Sequence, residues 1–194
     1  MGKLFVFMGK SASGKDTLYR EILKRNPTLQ PVIPYTTRPI RAGETQGQEY
    51  HFVTEKEMRQ MEQENKIVEC RCYQTVKGPW YYFTAEDGQI DFEKGNYCLI
   101  STLEGYEKIR DFYGEKQVVP LYIEVEDFQR MERSLQREKK QEAPCVAEVC
   151  RRFLADEKDF SEEKLKAAKI DKRIMNEKLS EAIYQIEGIL KSGR

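Results

Sequence analysis

Residues 8–17, MGKSASGKDT, place four residues between Gly9 and Gly14 and a lysine directly after the second glycine. Phosphate chemistry accounts for that spacing. Backbone N–H groups from Ser11 through Ala12, Ser13 and on to Thr17 turn inward on phosphate oxygens, and a helix opening there adds roughly half a positive charge. Gly9 and Gly14 permit the close approach, and Lys15 bridges the terminal phosphates. Asp16 stands where such loops usually place serine or threonine for Mg²⁺. A carboxylate repels a triphosphate unless Mg²⁺ lies between them. Asp16 then binds the metal directly or through water, or Thr17 or Ser13 shares the role. The same aspartate also suits the first turn of a helix through the dipole alone.

Two further clusters suit anions. Arg38 and Arg41 stand three residues apart, with Tyr50 downstream. Two planar guanidinium forks and a phenolic donor can grip one phosphate; arginines in a turn are otherwise solvated. Later, Phe128, Met131 and Leu135 form an apolar stripe at helical spacing, with Arg130, Arg133 and Arg137 on the opposite face. At about 100° per residue the three arginines lie within about 60° of one another. Like charges so close repel, so an anion would relieve them. The alternative is a solvated helix with Glu126 and Glu132 as neighbours.

The composition narrows the chemistry. Of 194 residues, 39% are hydrophobic and 34% charged, with 33 basic and 33 acidic side chains. That length suits one domain with inserted subdomains and a sizeable core. A formal net charge of zero supplies no global field toward nucleic acid or an anionic membrane, and neither is expected as a partner. The apolar run Leu4 to Met8 is too short for a signal peptide or a membrane span, so a soluble, cytoplasmic protein is expected. Five cysteines, Cys70, Cys72, Cys98, Cys145 and Cys150, contain no CxxC pair, and their odd number argues against a disulfide framework. They read as core filler or inert surface. With His51 as the single histidine, neither a Cys/His zinc site nor histidine acid–base chemistry is expected.

Elements must hold these residues in place. Residues 3–8 read as a short buried strand, and residues 15–25 as a helix with Leu18, Ile22 and Leu23 on one side, ended by Asn26-Pro27. Residues 31–47 read as loop and turn. Thr54-x-x-Glu57 is a capping box that opens a helix to about Asn65. Residues 66–73 and 80–84 read as strands around a Gly78-Pro79 turn. Residues 97–102 form an apolar strand, followed by a helix carrying Leu103, Ile109 and Phe112. Residues 118–125 read as a strand despite Pro120. Three helical stretches with a polar break at 141–144 follow, then a short strand near 170–175. A closing helix is striped by Leu179, Ile183, Ile186 and Leu190. Strands alternating with helices make a mainly parallel sheet covered on both faces. Residues 34–92 break that rhythm as an inserted α+β subdomain.

The phosphate loop together with TTRPIRAGETQGQEYHFV resembles guanylate kinase. The resemblance runs across nearly the whole chain, strongly to about Phe83 and more weakly beyond. It implies an α/β P-loop kinase: a parallel sheet flanked by helices, a core of residues 1–33, 93–125 and 145–194, an inserted α+β monophosphate-binding subdomain at 34–92 and a helical lid at 126–144. It also implies transfer of the γ-phosphoryl of ATP to GMP or dGMP, with Mg²⁺, giving ADP and GDP, by a monomer or a homodimer. Position by position, Arg38, Arg41 and Tyr50 match residues that hold the GMP phosphate. Glu69, in NKIVECRCY, matches the carboxylate that accepts from guanine N1 and N2. By its residue type alone it is equally an exposed strand carboxylate paired with Arg71 or a lysine. Tyr82 and Thr84, in WYYFT, resemble a Tyr-Gly-Ser stretch at phosphate and base, with Phe83 in place of the glycine. Arg133 and Arg137 match lid arginines that reach ATP phosphates. Arg152 matches one that spans both substrates, and Asn176 resembles an asparagine near the adenine. In-line transfer without a covalent intermediate would then rest on Lys15, Arg38, Arg133, Arg137 and Arg152.

The match has three departures. Pro34 replaces a serine that contacts guanine O6. Thr102 and Glu104 stand where the family carries an acidic residue and a glutamine. Asp16 alters the phosphate loop. Ribose 1,5-bisphosphate phosphokinase, a relative with the same GKD loop after a similar opening, makes another acceptor an alternative, against which stand Arg41, Tyr50 and Glu69. A non-catalytic guanylate-kinase-like binding module is a further alternative; such modules lack a working phosphate loop, and this chain keeps Gly9, Gly14 and Lys15.

Overall fold

Strands alternate with helices along most of the chain, as the hydrophobic pattern requires. The computed structural model describes residues 1–75 and 78–193. In chain order the elements are β1 (Leu4–Met8), α1 (Lys15–Arg25), β2 (Leu29–Pro31), β3 (Tyr35–Thr36), β4 (His51–Phe52), α2 (Glu55–Gln63), β5 (Ile67–Thr75), β6 (Gly78–Ala85), β7 (Asn96–Ile100), α3 (Leu103–Tyr113), β8 (Val118–Glu124), α4 (Asp127–Glu138), α5 (Val146–Asp159), α6 (Glu162–Ala167), β9 (Arg173–Met175) and α7 (Leu179–Ser192). One sheet has the order β2-β7-β1-β8-β9, in which β2–β7 and β8–β9 pair in parallel. The other has the order β4-β3-β6-β5 and is mixed. This is the expected α/β architecture of a parallel sheet flanked by helices. No described helix is long and apolar enough to cross a membrane.

The chain divides into two compact units. The first comprises Met1–Leu4, Thr28–Leu99 and Glu104–Val118; the second comprises Phe5–Pro27, Ile100–Leu103 and Val119–Arg194. Residues 34–92 fall within the first and 126–144 within the second.

In the first unit the mixed sheet has two chemically distinct faces. Cys70 pairs with Phe83 and Cys72 with Tyr81. Phe83 and Ala85 pack with Met58 of α2 in a core joined by Ile67, Cys70 and Tyr81. Alternation sends Glu69, Arg71 and Tyr73 of β5 and Tyr82 and Thr84 of β6 to the other face. The register shifts between Ile67 and Glu69. That irregularity lets Ile67 join the core while Glu69 faces away from it. The capping box forms as read: the Thr54 side chain accepts from the Glu57 N–H, and Glu57 accepts from the Thr54 N–H.

Two readings change in this unit. Gly78 and Pro79 do not make a turn; both belong to β6, paired with Thr75 and Gln74. Residues 76 and 77, between β5 and β6, lie outside the described residues. Proline is tolerated at that end because β3 reaches only Tyr82 and Phe83 of β6. Residues 31–47 are not wholly loop, because β2 ends at Pro31 and β3 follows at Tyr35–Thr36; strands of two or three residues carry too little periodicity to be read. Phe112 is half exposed, while Ile109 is buried.

In the second unit, Phe5 to Met8 of β1 are fully buried, as are Leu18 and Ile22 of α1 and Ala182 and Ile186 of α7. Leu179, expected in the stripe of α7, is exposed. β8 contains Pro120 as read. Its pairing with β9 begins only at Tyr122, so the missing N–H interrupts no bond of that ladder.

Candidate active site

In the second unit the turn at residues 9–14 joins β1 to α1. Gly14 caps α1 at φ 80°, ψ 11°, in the left-handed region. A Cβ there would lie 2.5 Å from Asn176 Nδ2. A Cβ on Gly9 would lie 2.4 Å from the Ile123 carbonyl oxygen of β8. Ala12 also takes a positive φ, 62°. The Asn176 side chain is buried and donates to the Ser13 carbonyl at 2.8 Å, while its backbone N–H donates to the Glu124 carbonyl. Asn176 thus braces the loop from behind. The Ser13 hydroxyl is buried with no hydrogen-bond partner among the described residues. An unused donor inside a phosphate loop suits an anion's oxygen. The Lys15 ammonium lies 3.9 Å from the Asp16 carboxylate, which is two-thirds exposed; Thr17 is exposed beside it.

Carboxylates organise the arginine face of α4, and this reverses the expected stripe. Phe128 is 86% exposed, whereas Arg130 is buried. Arg130 pairs with Asp127 at 2.9 Å, Asp156 at 3.2 Å and Glu157 at 2.7 Å. Its guanidinium also lies 4.3 Å from the centroid of the Phe153 ring. Helical periodicity assumes an apolar neighbour, but α5 presents Asp156 and Glu157. Three carboxylates and an aromatic face compensate the buried guanidinium. The same cluster reaches the phosphate loop: the Ser11 N–H donates to Asp156 at 2.8 Å, and Lys10 Nζ lies 2.6 Å from Glu157.

The other basic residues of this unit differ in how firmly they are held. Arg133 donates to Gln129 at 2.8 Å and to the Asn176 carbonyl at 3.3 Å. Arg137 is exposed; with Arg152, Ser11 and Asp156 it lines one crevice. Arg152 donates to Glu148, which Arg151 also engages. The two guanidiniums hold the Glu148 carboxyl down to about 2.

In the first unit Arg38 is 4% exposed. It makes a two-point contact with Glu44, Nη1 to Oε2 at 2.7 Å and Nη2 to Oε1 at 2.6 Å. That pairing raises its pKa. The guanidinium sits 5.2 Å from the Tyr50 ring centroid and 5.3 Å from that of Phe52. Its Nε is buried and has no hydrogen-bond partner among the described residues. The Arg41 side chain is exposed, while its backbone N–H donates to Glu44. Tyr82 stands edge-on to Tyr50 and to Tyr73. Thr84 is buried and donates to Glu69. Glu69 does pair with Arg71, but the alternative of an exposed strand carboxylate is wrong: its side chain is 0% exposed. Burial pulls the Arg71 pKa down, but the Glu69 charge and hydrogen bond, together with Tyr73 and Tyr50, more than offset it, so the net shift is upward.

The sequence-predicted residues therefore fall into two groups. Gly9, Ser11, Ala12, Ser13, Gly14, Lys15, Asp16, Thr17, Arg133, Arg137, Arg152 and Asn176 belong to the second unit, and Arg38, Arg41, Tyr50, Glu69, Tyr82 and Thr84 to the first. Asp156 and Glu157 were not foreseen; acidic residues in a charged helix carry no distinguishing pattern. Glu44 was also missed, although its place three residues after Arg41 in a turn is a usable signal. Among the described residues no group of three His, Cys, Asp or Glu could hold a metal. Mg²⁺ habitually takes one or two carboxylates and completes its shell from substrate phosphates and water. The oxygen donors of Asp16, Thr17 and Ser13 fit that habit.

A glycine-bounded loop between a buried strand and a helix, in a sheet of this kind, defines a P-loop phosphotransferase. The family model for guanylate kinase matches residues 1–193, and the chain belongs to that family. It is 25% identical to the guanylate kinase of Parasynechococcus marenigrum over the full length of both chains. It is 36% identical to that of Bacteroides thetaiotaomicron over 59% of this chain and 56% of the relative. The fold matches the crystal structure of guanylate kinase from Anaplasma phagocytophilum with a TM-score of 0.66 at 21% identity, covering 99% of this chain and 86% of the other.

Proposed function

We propose that this kinase transfers the γ-phosphoryl group of ATP to GMP or dGMP. One observation carries the choice of acceptor: the Glu69 carboxylate lies buried on the sheet face it shares with Tyr82 and Thr84. A carboxylate there accepts from two adjacent donors, and guanine N1 and N2 supply them. Arg38, with a buried and unused Nε, Arg41 and the Tyr50 hydroxyl align the acceptor phosphate. The loop amides, the Ser13 hydroxyl and Lys15 hold the ATP phosphates. Arg133, Arg137 and Arg152 neutralise charge on the moving phosphoryl group. Asn176 fixes the loop and lies near the adenine. Asp16, with Thr17 or Ser13, holds Mg²⁺, which shields the phosphate charge. Closure of the lid, residues 126–144, excludes water and limits ATP hydrolysis. The protein acts in the cytoplasm, as a monomer or homodimer, on free nucleotides without nucleic acid or membrane partners.

A phosphokinase with another acceptor is favoured by one observation: Arg71 already occupies Glu69. Purified protein given ATP–Mg²⁺ with GMP, dGMP, AMP, UMP or ribose 1,5-bisphosphate separates the readings. ADP forms at least about tenfold faster with GMP or dGMP. ADP formation only with ribose 1,5-bisphosphate, or with none of the five, overturns the proposal.

A further inference from the structure

Glu69 and Arg71 lie two residues apart on β5 and share one face of the sheet. Arg71 Nε donates to Oε2 of Glu69 at 3.0 Å, and its Nη2 donates to Oε1 at 3.2 Å. Thr84 adds a third donor, its hydroxyl, to Oε1 at 2.9 Å. The Glu69 side chain is fully buried, and that of Arg71 is 17% exposed.

The chemistry of this contact matches that of the ligand. A side-on guanidinium offers two roughly parallel N–H groups, and so does the N1/N2 edge of guanine. A carboxylate has about four acceptor positions. Three are taken here, so the one that remains cannot receive both donors of a base. Guanine therefore has to remove Arg71 before Glu69 can read it.

Resting on the GMP reading, we propose that Arg71 is a specificity-determining residue: an internal stand-in for the donor edge of guanine, which the base must displace. Base recognition is then a competition, and Arg71 weakens guanine binding without touching ATP. Its cross-strand partner is Tyr82, so the displaced guanidinium stays on the acceptor face.

The test measures GMP affinity by calorimetry, and KM for GMP and ATP, in wild type, Arg71→Ala and Arg71→Lys. Arg71→Ala binds GMP about tenfold more tightly, the scale of one charge-assisted two-point contact, and its KM for ATP stays within about twofold of wild type. Arg71→Lys keeps a cation but loses the fork, and it tightens GMP binding by a smaller factor. Arg71→Ala decides the question where it folds; Arg71→Lys decides it where the unpaired Glu69 prevents folding. Unchanged or weaker GMP binding in the deciding variant, with GMP still turned over by wild type, overturns the role of Arg71 and leaves the GMP reading standing. Absence of GMP binding in wild type and both variants, with ADP formed from another acceptor, removes both.

Discussion

Asp156 accepts a hydrogen bond from the backbone N–H of Ser11 at 2.8 Å, and the same carboxylate oxygen accepts one from Arg130 at 3.2 Å. One acceptor thus ties the phosphate loop to α4 and α5 within a single compact unit. Arg130 is the largest of the fully buried side chains, so its charge depends on these partners. Removing one member of a buried ion pair leaves the other uncompensated. Arg130→Ala is expected to lower stability by about 3 kcal/mol, the low end for such pairs because Asp127 and Glu157 remain open to water. Asp156→Asn retains an acceptor for Ser11 and costs less, about 1 kcal/mol. Urea unfolding measures both, and equal midpoints for wild type and Arg130→Ala would show that the cluster contributes nothing.

Lys15 follows the left-handed Gly14 and begins α1. Its ammonium has a carboxylate at 3.9 Å, too far for a hydrogen bond. A cation held so loosely is free to follow a transferring phosphoryl group. Lys15→Met is expected to lower kcat on the order of 10³-fold, in line with other single charge-stabilising groups. The measurement is ADP formed per unit time at saturating GMP. Turnover close to that of wild type would remove Lys15 from the mechanism.

The legibility of the chain follows the range of the forces involved. α1 has the bounds its pattern gives, 15–25, because a glycine, an apolar stripe and Asn26-Pro27 all act within a few residues. The capping box of α2 is equally local. The pairing of Glu69 with Arg71 is readable from alternation along one strand, but the burial of Glu69 is not, since it depends on β6 across the sheet. Arg130 misleads for the same reason. Its helix is amphipathic in sequence, yet the residues that determine which face is buried, Asp156 and Glu157, come 26 and 27 positions later.

Gly9 separates backbone strain from packing. A Cβ there meets the Ile123 carbonyl oxygen at 2.4 Å, and that oxygen belongs to the backbone of β8, one residue before its end, rather than to a movable side chain. Gly9→Ala therefore forces β1 and β8 to shift. A loss of about 2 kcal/mol or more is expected, together with loss of ATP binding. Thermal melting followed by circular dichroism gives the first, calorimetry the second. A melting temperature equal to that of wild type would mean the loop does not press against β8.

Arg38 and Glu44 predict a response to acid. The two guanidinium hydrogen bonds, helped by the Arg41 N–H, hold the Glu44 carboxyl down to about 2 from an ordinary 4.5, against the opposing effect of burial. A carboxyl whose pKa is depressed by folding stabilises the folded state fully above its unfolded value. That contribution fades as pH falls from about 4.5 toward about 2, because the proton goes first to the unfolded chain. Glu44→Gln removes the charge, so its stability relative to wild type should be lowest near neutral pH. The gap should close as pH drops through that window. Urea midpoints of both proteins across the range give the comparison. A gap that stays constant down to the acid end would mean that the carboxylate charge is not what holds Arg38 in place, and the turn from Arg38 to Glu44 would then owe its shape to the Tyr50 and Phe52 rings instead.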